Sequence, residues 1–294
     1  MPRPLRISPR YLGQMKLKGF CPRCFWYAVQ MDFKLPFDRP MPGILFNLDI
    51  FEKNLVEAHY AAEGKLPKWL AQLKAVRPVE FPRKMLQEFP DLNITMVGMP
   101  DAVFSTSTGS LVLVDYKTAR YKGPDDPFMP AYETQLLGYS SLLKANGIGT
   151  VEKAALVYFH NLAKENNEDP MKLFTEEGMT IPFEVKIHEV EIDMTTLDPL
   201  LNQIREVADL PHPPEGLIKC KDCGRLTQLL ESEERLRNMQ DSKQHRDQLY
   251  RQVFYPKLEA HRRKAKLAGL GFDSYDDLLT MQDDGDFVPA VWDL

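Results

Sequence analysis

All four cysteines of the 294-residue chain fall into two Cys-x-x-Cys pairs, Cys21/Cys24 and Cys220/Cys223. A Cys-x-x-Cys turn places two thiolates on one metal ion, and two such turns complete a tetrahedral site. Disulfide bonds fit poorly in a cytoplasmic chain of this size. The pairs therefore predict a structural metal centre that closes a loop of about 200 residues and holds the two ends of the fold together.

The composition is that of a globular protein, with 44% hydrophobic and 27% charged residues and a net charge of −5. No apolar run approaches the roughly 18 residues that a membrane span requires. Residues 1–14 contain arginines but lack the apolar core of a signal peptide. We therefore expect a cytoplasmic protein without a membrane partner.

The charge pattern and the predicted elements divide the chain into three parts. Residues 1–45 form a basic segment with the first cysteine pair, residues 46–225 form a core closed by the second pair, and residues 226–294 form a helical extension with an acidic tail. In the core, periodicity predicts helices over 46–62, 131–146 and 196–210 and strands over 92–97, 101–105, 111–117, 151–160 and 181–192. This order indicates an α/β fold with a mixed central β-sheet flanked by helices. The apolar stripe of the first helix consists of Leu48, Phe51, Leu55, Ala58 and Ala62.

The strand predicted over residues 111–117 ends its apolar run with Asp115-Tyr116-Lys117. Side chains at i and i+2 leave a strand on the same face, so Asp115 and Lys117 should project side by side. A buried strand seldom ends in this way, because both charges need partners. An isolated Asp-x-Lys is usually a surface ion pair, and its neighbours must decide between the two interpretations.

A second carboxylate, Asp101, follows a break in the preceding strand and starts the next extended segment. Two carboxylates on adjacent hairpin strands can bind Mg²⁺ or Mn²⁺ through oxygen, and the Tyr116 carbonyl could add a third oxygen. On the next predicted helix, Gln135 and Tyr139 lie one turn apart on the same face. Such a site suits phosphodiester hydrolysis, with a lysine that activates water.

Three segments, Gly98-x-x-Asp101, Asp115-x-Lys117 and Gln135-x-x-x-Tyr139, resemble in order and spacing the motifs of the PD-(D/E)XK nucleases. The branch that they resemble most is the RecB-like group, which includes the CRISPR-associated RecB-like exonucleases, and the resemblance spans about residues 20–225. It implies a restriction-endonuclease-like core and a metal-dependent deoxyribonuclease in DNA repair, recombination or CRISPR/phage DNA processing. Asp101 and Asp115 would hold Mg²⁺ or Mn²⁺, and Lys117, Gln135 and Tyr139 would complete the catalytic set. DNA is the implied substrate, and a helicase or another DNA-processing protein is an allowed partner.

The chain departs from the pattern of the family in two places. The family usually carries an acid or a histidine on the first core helix as an extra metal ligand. Here the helix offers Asp49, Glu52, Glu57 and His59; Asp49 is the residue we favour, and Glu57, on the same polar face, is the alternative. RecB-like nucleases with an iron–sulfur cluster have one cysteine upstream of the core and three downstream, whereas this chain has two and two. The cysteines therefore leave both a 4Fe-4S cluster and a Zn²⁺ ion open.

The weak match on the first helix also leaves a second function open. The alternative is a non-catalytic nucleic-acid-binding or assembly subunit that retains the nuclease fold. The motifs do not distinguish single-stranded from double-stranded substrates or attack at an end from internal attack.

Overall fold

The computed structural model describes residues 3–33, 42–162 and 170–238. In these ranges the strands are β1 (Leu5–Ile7), β2 (Arg77–Pro78), β3 (Met85–Phe89), β4 (Ile94–Gly98), β5 (Ala102–Ser105), β6 (Leu111–Lys117), β7 (Val151–Asn161), β8 (Phe174–Thr175), β9 (Gly178–Met179) and β10 (Phe183–Val190). The helices are α1 (Pro9–Gln14), α2 (Pro22–Gln30), α3 (Gly43–Glu63), α4 (Met129–Ala145), α5 (Leu197–Ala208) and α6 (Lys221–Asn238). Short 3-10 helices lie at Lys68–Leu73, Pro90–Leu92, Pro170–Leu173 and Met194–Thr196.

A five-stranded sheet with the order β10-β7-β6-β5-β2 forms the centre of the fold. Strands β6 and β7 are parallel, and the other neighbouring pairs are antiparallel. A three-stranded sheet, β1-β4-β3, joins the N-terminal strand to the core through a parallel pairing of β1 with β4. The predicted α/β fold with a mixed central sheet flanked by helices is confirmed.

The central sheet is covered on both faces, because successive side chains of a strand point to opposite sides. Leu111 and Leu113 of β6 belong to the apolar core that includes α4 and α5, whereas Val112 and Val114 belong to the core that includes Val56 of α3. This two-sided burial explains the unbroken apolar run of β6. By the same alternation, Asp115 and Lys117 follow Leu113 on the face covered by α4.

Helix α3 confirms the helix predicted over residues 46–62, but the predicted apolar stripe does not face the core. Phe51 is 60% exposed and Leu55 is 40% exposed, whereas Glu52 and Val56 are buried. The stripe of Leu48, Phe51, Leu55, Ala58 and Ala62 was therefore wrong as a guide to the buried face. The physical reason is that polar side chains of α3 bond to Thr118, just beyond β6, and to Asp101, which precedes β5, and this turns the row containing Glu52 and Val56 inward.

The helices of the described residues agree with the absence of a membrane span from the sequence. Within the described ranges, no helix combines the length and the apolar character that a membrane crossing needs. The acidic tail predicted at the end of the extension over residues 226–294 lies outside the described residues. Contacts divide the chain into two units, residues 1–223 and 224–294, and the sites described below belong to the first.

Candidate active site and cysteine cluster

Asp115 lies at the end of β6 and is only 2% exposed. Its Oδ1 accepts a hydrogen bond from Gln135 Nε2 at 3.1 Å, and its Oδ2 lies 2.5 Å from Lys117 Nζ. Burial raises the pKa of Asp115 to about 6 against the attraction of Lys117. Oδ2 is buried and makes no hydrogen bond within the described part of the chain beyond this ion pair. A carboxylate in such a place is one whose ionised form an added cation would stabilise.

Asp101 is held beside Asp115 by the β5–β6 hairpin. Ala102 pairs with Val114 in the antiparallel register, which places Asp101 across from Asp115. Asp101 Oδ2 accepts the backbone N–H of Tyr116 at 2.9 Å, and its Oδ1 lies 2.9 Å from Lys53 Nζ. The hairpin thus brings both carboxylates to one end of the sheet, and each has one oxygen against a lysine.

Helix α4 supplies the amide and the aromatic side chains of the site. Pro130 in its first turn suits a helix start, and apolar residues such as Leu136 anchor the helix in the core. Gln135 Nε2 also lies 3.3 Å from the Tyr139 hydroxyl, and Gln135 Oε1 lies 3.5 Å from Lys117 Nζ. The glutamine therefore bridges the carboxylate and the ammonium of the Asp-x-Lys pair. Burial raises the pKa of Tyr139 to about 12, so its hydroxyl stays protonated near neutral pH.

Sequence reasoning missed Tyr132, which lies under the lysine of the site. Lys117 Nζ stands 4.4 Å from the centroid of the Tyr132 ring, which is a cation–π contact. Tyr132 precedes Gln135 by three residues and so shares its helical face. That spacing was the signal that could have identified it.

Sequence reasoning included Glu52 among the candidate ligands of this helix but did not select it. Glu52 is 3% exposed, and its Oε1 accepts a hydrogen bond from Thr118 Oγ1 at 2.8 Å, just beyond β6. Burial raises the pKa of Glu52, and the nearby Asp49 and Asp101 carboxylates raise it further. The available signal was its place between Leu48 and Val56 at i, i+4 spacing, an acid within an apolar row.

The acid favoured from the sequence, Asp49, lies at the edge of this cluster. Its side chain is 45% exposed, and its Oδ2 lies 2.8 Å from Lys53 Nζ. Glu57, the alternative, is exposed. Although burial disfavours the charged form of Lys53, Asp101 and Asp49 raise its pKa. The ligand role of Asp49 stays a prediction.

These groups fit a hard divalent cation. Asp101, Asp115 and Glu52 offer carboxylate oxygens, the donors that Mg²⁺ and Mn²⁺ prefer. The buried Oδ2 of Asp115 faces only the ammonium of Lys117 among the described residues, and the Oδ1 of the partly exposed Asp101 lies against the ammonium of Lys53.

The four cysteines form one cluster that joins the start of α2 to the segment around the start of α6. Cys21 Sγ lies 3.2 Å from Cys223 Sγ, and Cys24 Sγ lies 3.6 Å from Cys220 Sγ and 3.4 Å from Cys223 Sγ. All four sulfurs lie within 4.8 Å of one another, and all four residues are free cysteines. The two Cys-x-x-Cys pairs thus converge as a group that could hold a metal ion.

The electrostatics of this cluster also favour a cation. Burial opposes the thiolate of Cys21, but backbone N–H groups of Cys24 and Leu217 help lower its pKa to about 7. Burial and the neighbouring thiols raise the pKa of Cys24, and burial and Cys21 raise that of Cys223 to about 11. Four neighbouring thiols resist joint ionisation, and a metal ion supplies the charge that makes four thiolates compatible.

A mixed sheet whose central strand ends in Asp-x-Lys, beside a carboxylate that precedes the neighbouring strand, is the arrangement that the motif resemblance predicts. The sequence model of the PD-(D/E)XK nuclease superfamily matches residues 37–263, and the chain belongs to this superfamily. Among solved structures, the chain is similar to the crystal structure of SSO0001, with 16% identity over 72% of this chain and 80% of that chain and a TM-score of 0.38. No curated protein matches the chain.

Proposed function

We propose that the protein is a deoxyribonuclease that hydrolyses phosphodiester bonds with Mg²⁺ or Mn²⁺. The observation that carries the proposal is the contact network that joins Asp115, Lys117 and Gln135 at the buried end of β6, with Asp101 across the hairpin. In a solvated surface ion pair the carboxylate oxygens would be exposed to water, and no amide would contact both partners.

The ligands in this proposal are the carboxylates of Asp101 and Asp115, the carbonyl of Tyr116 and one acid of α3. We favour Glu52 over Asp49 for the last role, because Glu52 is buried and bonds to the residue that follows β6. When bound, the ion would lower the pKa of a coordinated water and polarise the phosphate.

The remaining side chains have roles that follow from their contacts. Lys117 would position and activate the attacking water and offer positive charge to the transition state. Gln135 would keep Asp115 and Lys117 in a fixed relative orientation, and the protonated Tyr139 hydroxyl would support Gln135.

DNA as the substrate is supported by the nuclease superfamily to which the chain belongs. One exposed cation, Arg10, is close enough to the site to affect Tyr132, because burial raises the pKa of Tyr132 and the charges of Lys117 and Arg10 oppose that rise. Arg10 lies on α1 and is exposed, so it is available for a phosphate oxygen. We expect Arg10→Ala to weaken DNA binding without a change in Mn²⁺ affinity.

The test of the function compares the wild-type protein with Asp115→Asn and Lys117→Met on labelled DNA with Mn²⁺. Both changes should lower the cleavage rate at least about 100-fold, because the first removes a proposed metal ligand and the second removes the group that activates the attacking water. Glu133→Gln, on the exposed side of α4, is the matched control and should cleave normally. Normal cleavage by either site variant would overturn the proposal. DNA binding without cleavage by the wild-type protein would favour the non-catalytic alternative.

We also propose that the chain lies nearest to the RecB-like branch, with the CRISPR-associated RecB-like exonucleases, and acts in DNA repair, recombination or CRISPR/phage DNA processing. The contact of Gln135 with Tyr139 supports this, since it gives the Gln-x-x-x-Tyr motif a physical role. An exonuclease should degrade linear DNA and leave covalently closed circles intact. Cleavage of circles at a comparable rate would contradict the exonuclease assignment.

For the cysteine cluster we propose a single Zn²⁺ ion. Zinc–sulfur bonds of about 2.3 Å in a tetrahedron set the sulfurs about 3.8 Å apart. Three Sγ–Sγ distances between the pairs are 3.2 Å to 3.6 Å, and all four sulfurs lie within 4.8 Å of one another, which is close to that size. A 4Fe-4S cluster binds each thiolate to a different iron on the outside of a cube, so it needs sulfurs that are farther apart.

Metal analysis of anaerobically purified protein tests the choice of zinc. We expect a colourless protein with about one zinc per chain. A brown protein that contains four irons per chain would show that the cysteines hold a cluster instead.

A further inference from the structure

Lys53 is a cation that the proposed reaction does not use. It follows the buried Glu52 on α3, and its Nζ lies 2.8 Å from Asp49 Oδ2 and 2.9 Å from Asp101 Oδ1. One ammonium therefore bridges a carboxylate of α3 and the carboxylate that precedes β5. The Lys53 side chain is only 29% exposed, so solvent screens these contacts incompletely.

The Asp101 oxygen that Lys53 engages is the one that remains for a metal ion. Asp101 Oδ2 already accepts the backbone N–H of Tyr116, which leaves Oδ1 for a cation. The other lysine of the site, Lys117, is held by Gln135 and the Tyr132 ring as well as by a carboxylate. The described contacts of Lys53, by contrast, are both to carboxylates.

An ammonium in this position stabilises the metal-free protein and repels a divalent cation. Asp49 is an alternative ion-pair partner for Lys53, because it lies one turn away on the same helix and already contacts the ammonium. Lys53 can therefore release Asp101 without losing every partner, and the cost of leaving a partly buried charge unpaired is avoided.

We propose that Lys53 is a built-in counter-ion of Asp101, which binds Asp101 Oδ1 in the metal-free protein and competes with the divalent cation for that oxygen. This inference rests on the proposed function, because it takes Asp101 as a metal ligand. The site then exchanges one cation for another when metal binds, and Asp101 keeps a positive partner in both states.

The test is calorimetric titration of Mn²⁺ into full-length protein without DNA, so that the readout is independent of cleavage. Lys53→Met is expected to tighten Mn²⁺ binding about tenfold or more, because no ammonium must be displaced. Lys144→Met is the matched control, since it removes the same charge from an exposed position on α4, nine residues beyond Gln135. It should leave the affinity unchanged.

A thermal measurement separates competition from a purely structural role of Lys53. In the presence of a chelator, Lys53→Met should melt at a lower temperature than the wild-type protein, and saturating Mn²⁺ should remove the difference. Lys53→Gln, which keeps a polar side chain, serves as the second variant. An equal loss of stability with and without Mn²⁺ would make Lys53 a structural link only, and the proposal would be wrong.

A double variant ties the effect to Asp101. Asp101→Asn should weaken Mn²⁺ binding, and Lys53→Met should tighten it much less in that background. Unchanged or weaker Mn²⁺ affinity in both Lys53 variants overturns the counter-ion role but leaves the proposed nuclease function intact. A wild-type protein that binds no Mn²⁺ overturns the proposed function and, with it, this inference.

Discussion

At the scale of single residues, the candidate site is organised by an amide that contacts both members of a charged pair. Gln135 donates to Asp115 Oδ1 at 3.1 Å and has its own oxygen 3.5 Å from Lys117 Nζ. The direct distance between the two charges, 2.5 Å, is short enough for them to pair without help. The amide therefore adds orientation to the pair, and orientation is what a group that activates water requires.

We expect Gln135→Leu to slow DNA cleavage by about 10-fold to 100-fold, the usual effect of losing a group that orients a ligand or a base. Leucine keeps the helix and most of the volume but cannot bond to the carboxylate or the ammonium. Single-turnover cleavage at saturating Mn²⁺ measures the effect, and Glu133→Gln on the same helix is the control. A cleavage rate equal to that of the wild-type protein would show that Gln135 has no part in the reaction.

At the scale of elements, the central strand could be predicted and the first helix of the core only in part. The apolar run of β6 predicts a buried strand, and the two-residue period of a strand places Asp115 and Lys117 on the same face. Both predictions need only the sequence of one strand. The buried face of α3 could not be read in this way, because contacts distant in sequence decide it. Glu52 bonds to Thr118, which lies 66 residues farther along the chain, and its neighbour Phe51 stays in solvent. Strand β1 escaped prediction because its three residues are fixed by pairing with β4.

The contact of α1 with α4 gives a prediction at this scale, since it positions the helix that carries Gln135. A Cβ at Gly13 would lie 2.3 Å from the backbone oxygen of Ala131, so Gly13→Ala must move one helix away from the other. Helix propensity alone would favour alanine by about 1 kcal/mol, but the clash should make the change destabilising by about 1 to 3 kcal/mol.

Urea unfolding measures the effect of Gly13→Ala, and Gly19→Ala is the control because a Cβ there meets no atom within 4 Å. The opposite sign, a gain in stability for Gly13→Ala, would show that the two helices are not in close contact.

The 3-10 helix Met194–Thr196, which precedes α5, gives a prediction about pH. Asp193 Oδ1 accepts hydrogen bonds from Thr195 Oγ1 at 2.6 Å and from its backbone N–H at 3.0 Å, and both lower the pKa of Asp193. A carboxyl whose pKa is lowered by folding stabilises the folded state above its unfolded pKa of about 4 and loses that effect as the pH falls through the lowered value. Asp193→Ala should therefore lower the melting temperature at neutral pH.

This difference in melting temperature should shrink as the pH is lowered below about 4, where the wild-type carboxyl takes up a proton. Glu191→Ala, an exposed acid two residues earlier, should show no such dependence. A difference that is independent of pH from 7 to 3 would rule out the charged form of Asp193 as the cause.

At the scale of the whole molecule, one cysteine cluster fixes the ends of the first unit. Cys21 and Cys223 are separated by 202 positions and yet have their sulfurs in contact. Close by, Trp26 Nε1 donates to the carbonyl of Leu210 at 2.9 Å, which adds a second link between α2 and the segment after α5. None of the hydrogen bonds and ion pairs described here joins the cysteines to the carboxylate site. A clamp of this kind acts on the unfolded chain, whose freedom it restricts, more than on the chemistry of the site.

The clamp leads to a prediction that separates stability from metal binding at the carboxylate site. Cys220→Ser should lower the free energy of unfolding by about 3 to 5 kcal/mol, the value expected when a closure of so long a loop is lost. Ile218→Ser, at a position 86% exposed and two residues earlier, is the control and should unfold like the wild-type protein. The Mn²⁺ affinity of folded Cys220→Ser at low temperature should match that of the wild-type protein, because the three carboxylate–lysine contacts of the site and the hydrogen bond of Thr118 to Glu52 lie elsewhere. Urea unfolding with metal analysis measures the first effect and calorimetry the second. Full stability of Cys220→Ser would show that the cysteines do not clamp the fold, and a parallel loss of Mn²⁺ affinity would show that the two sites are coupled.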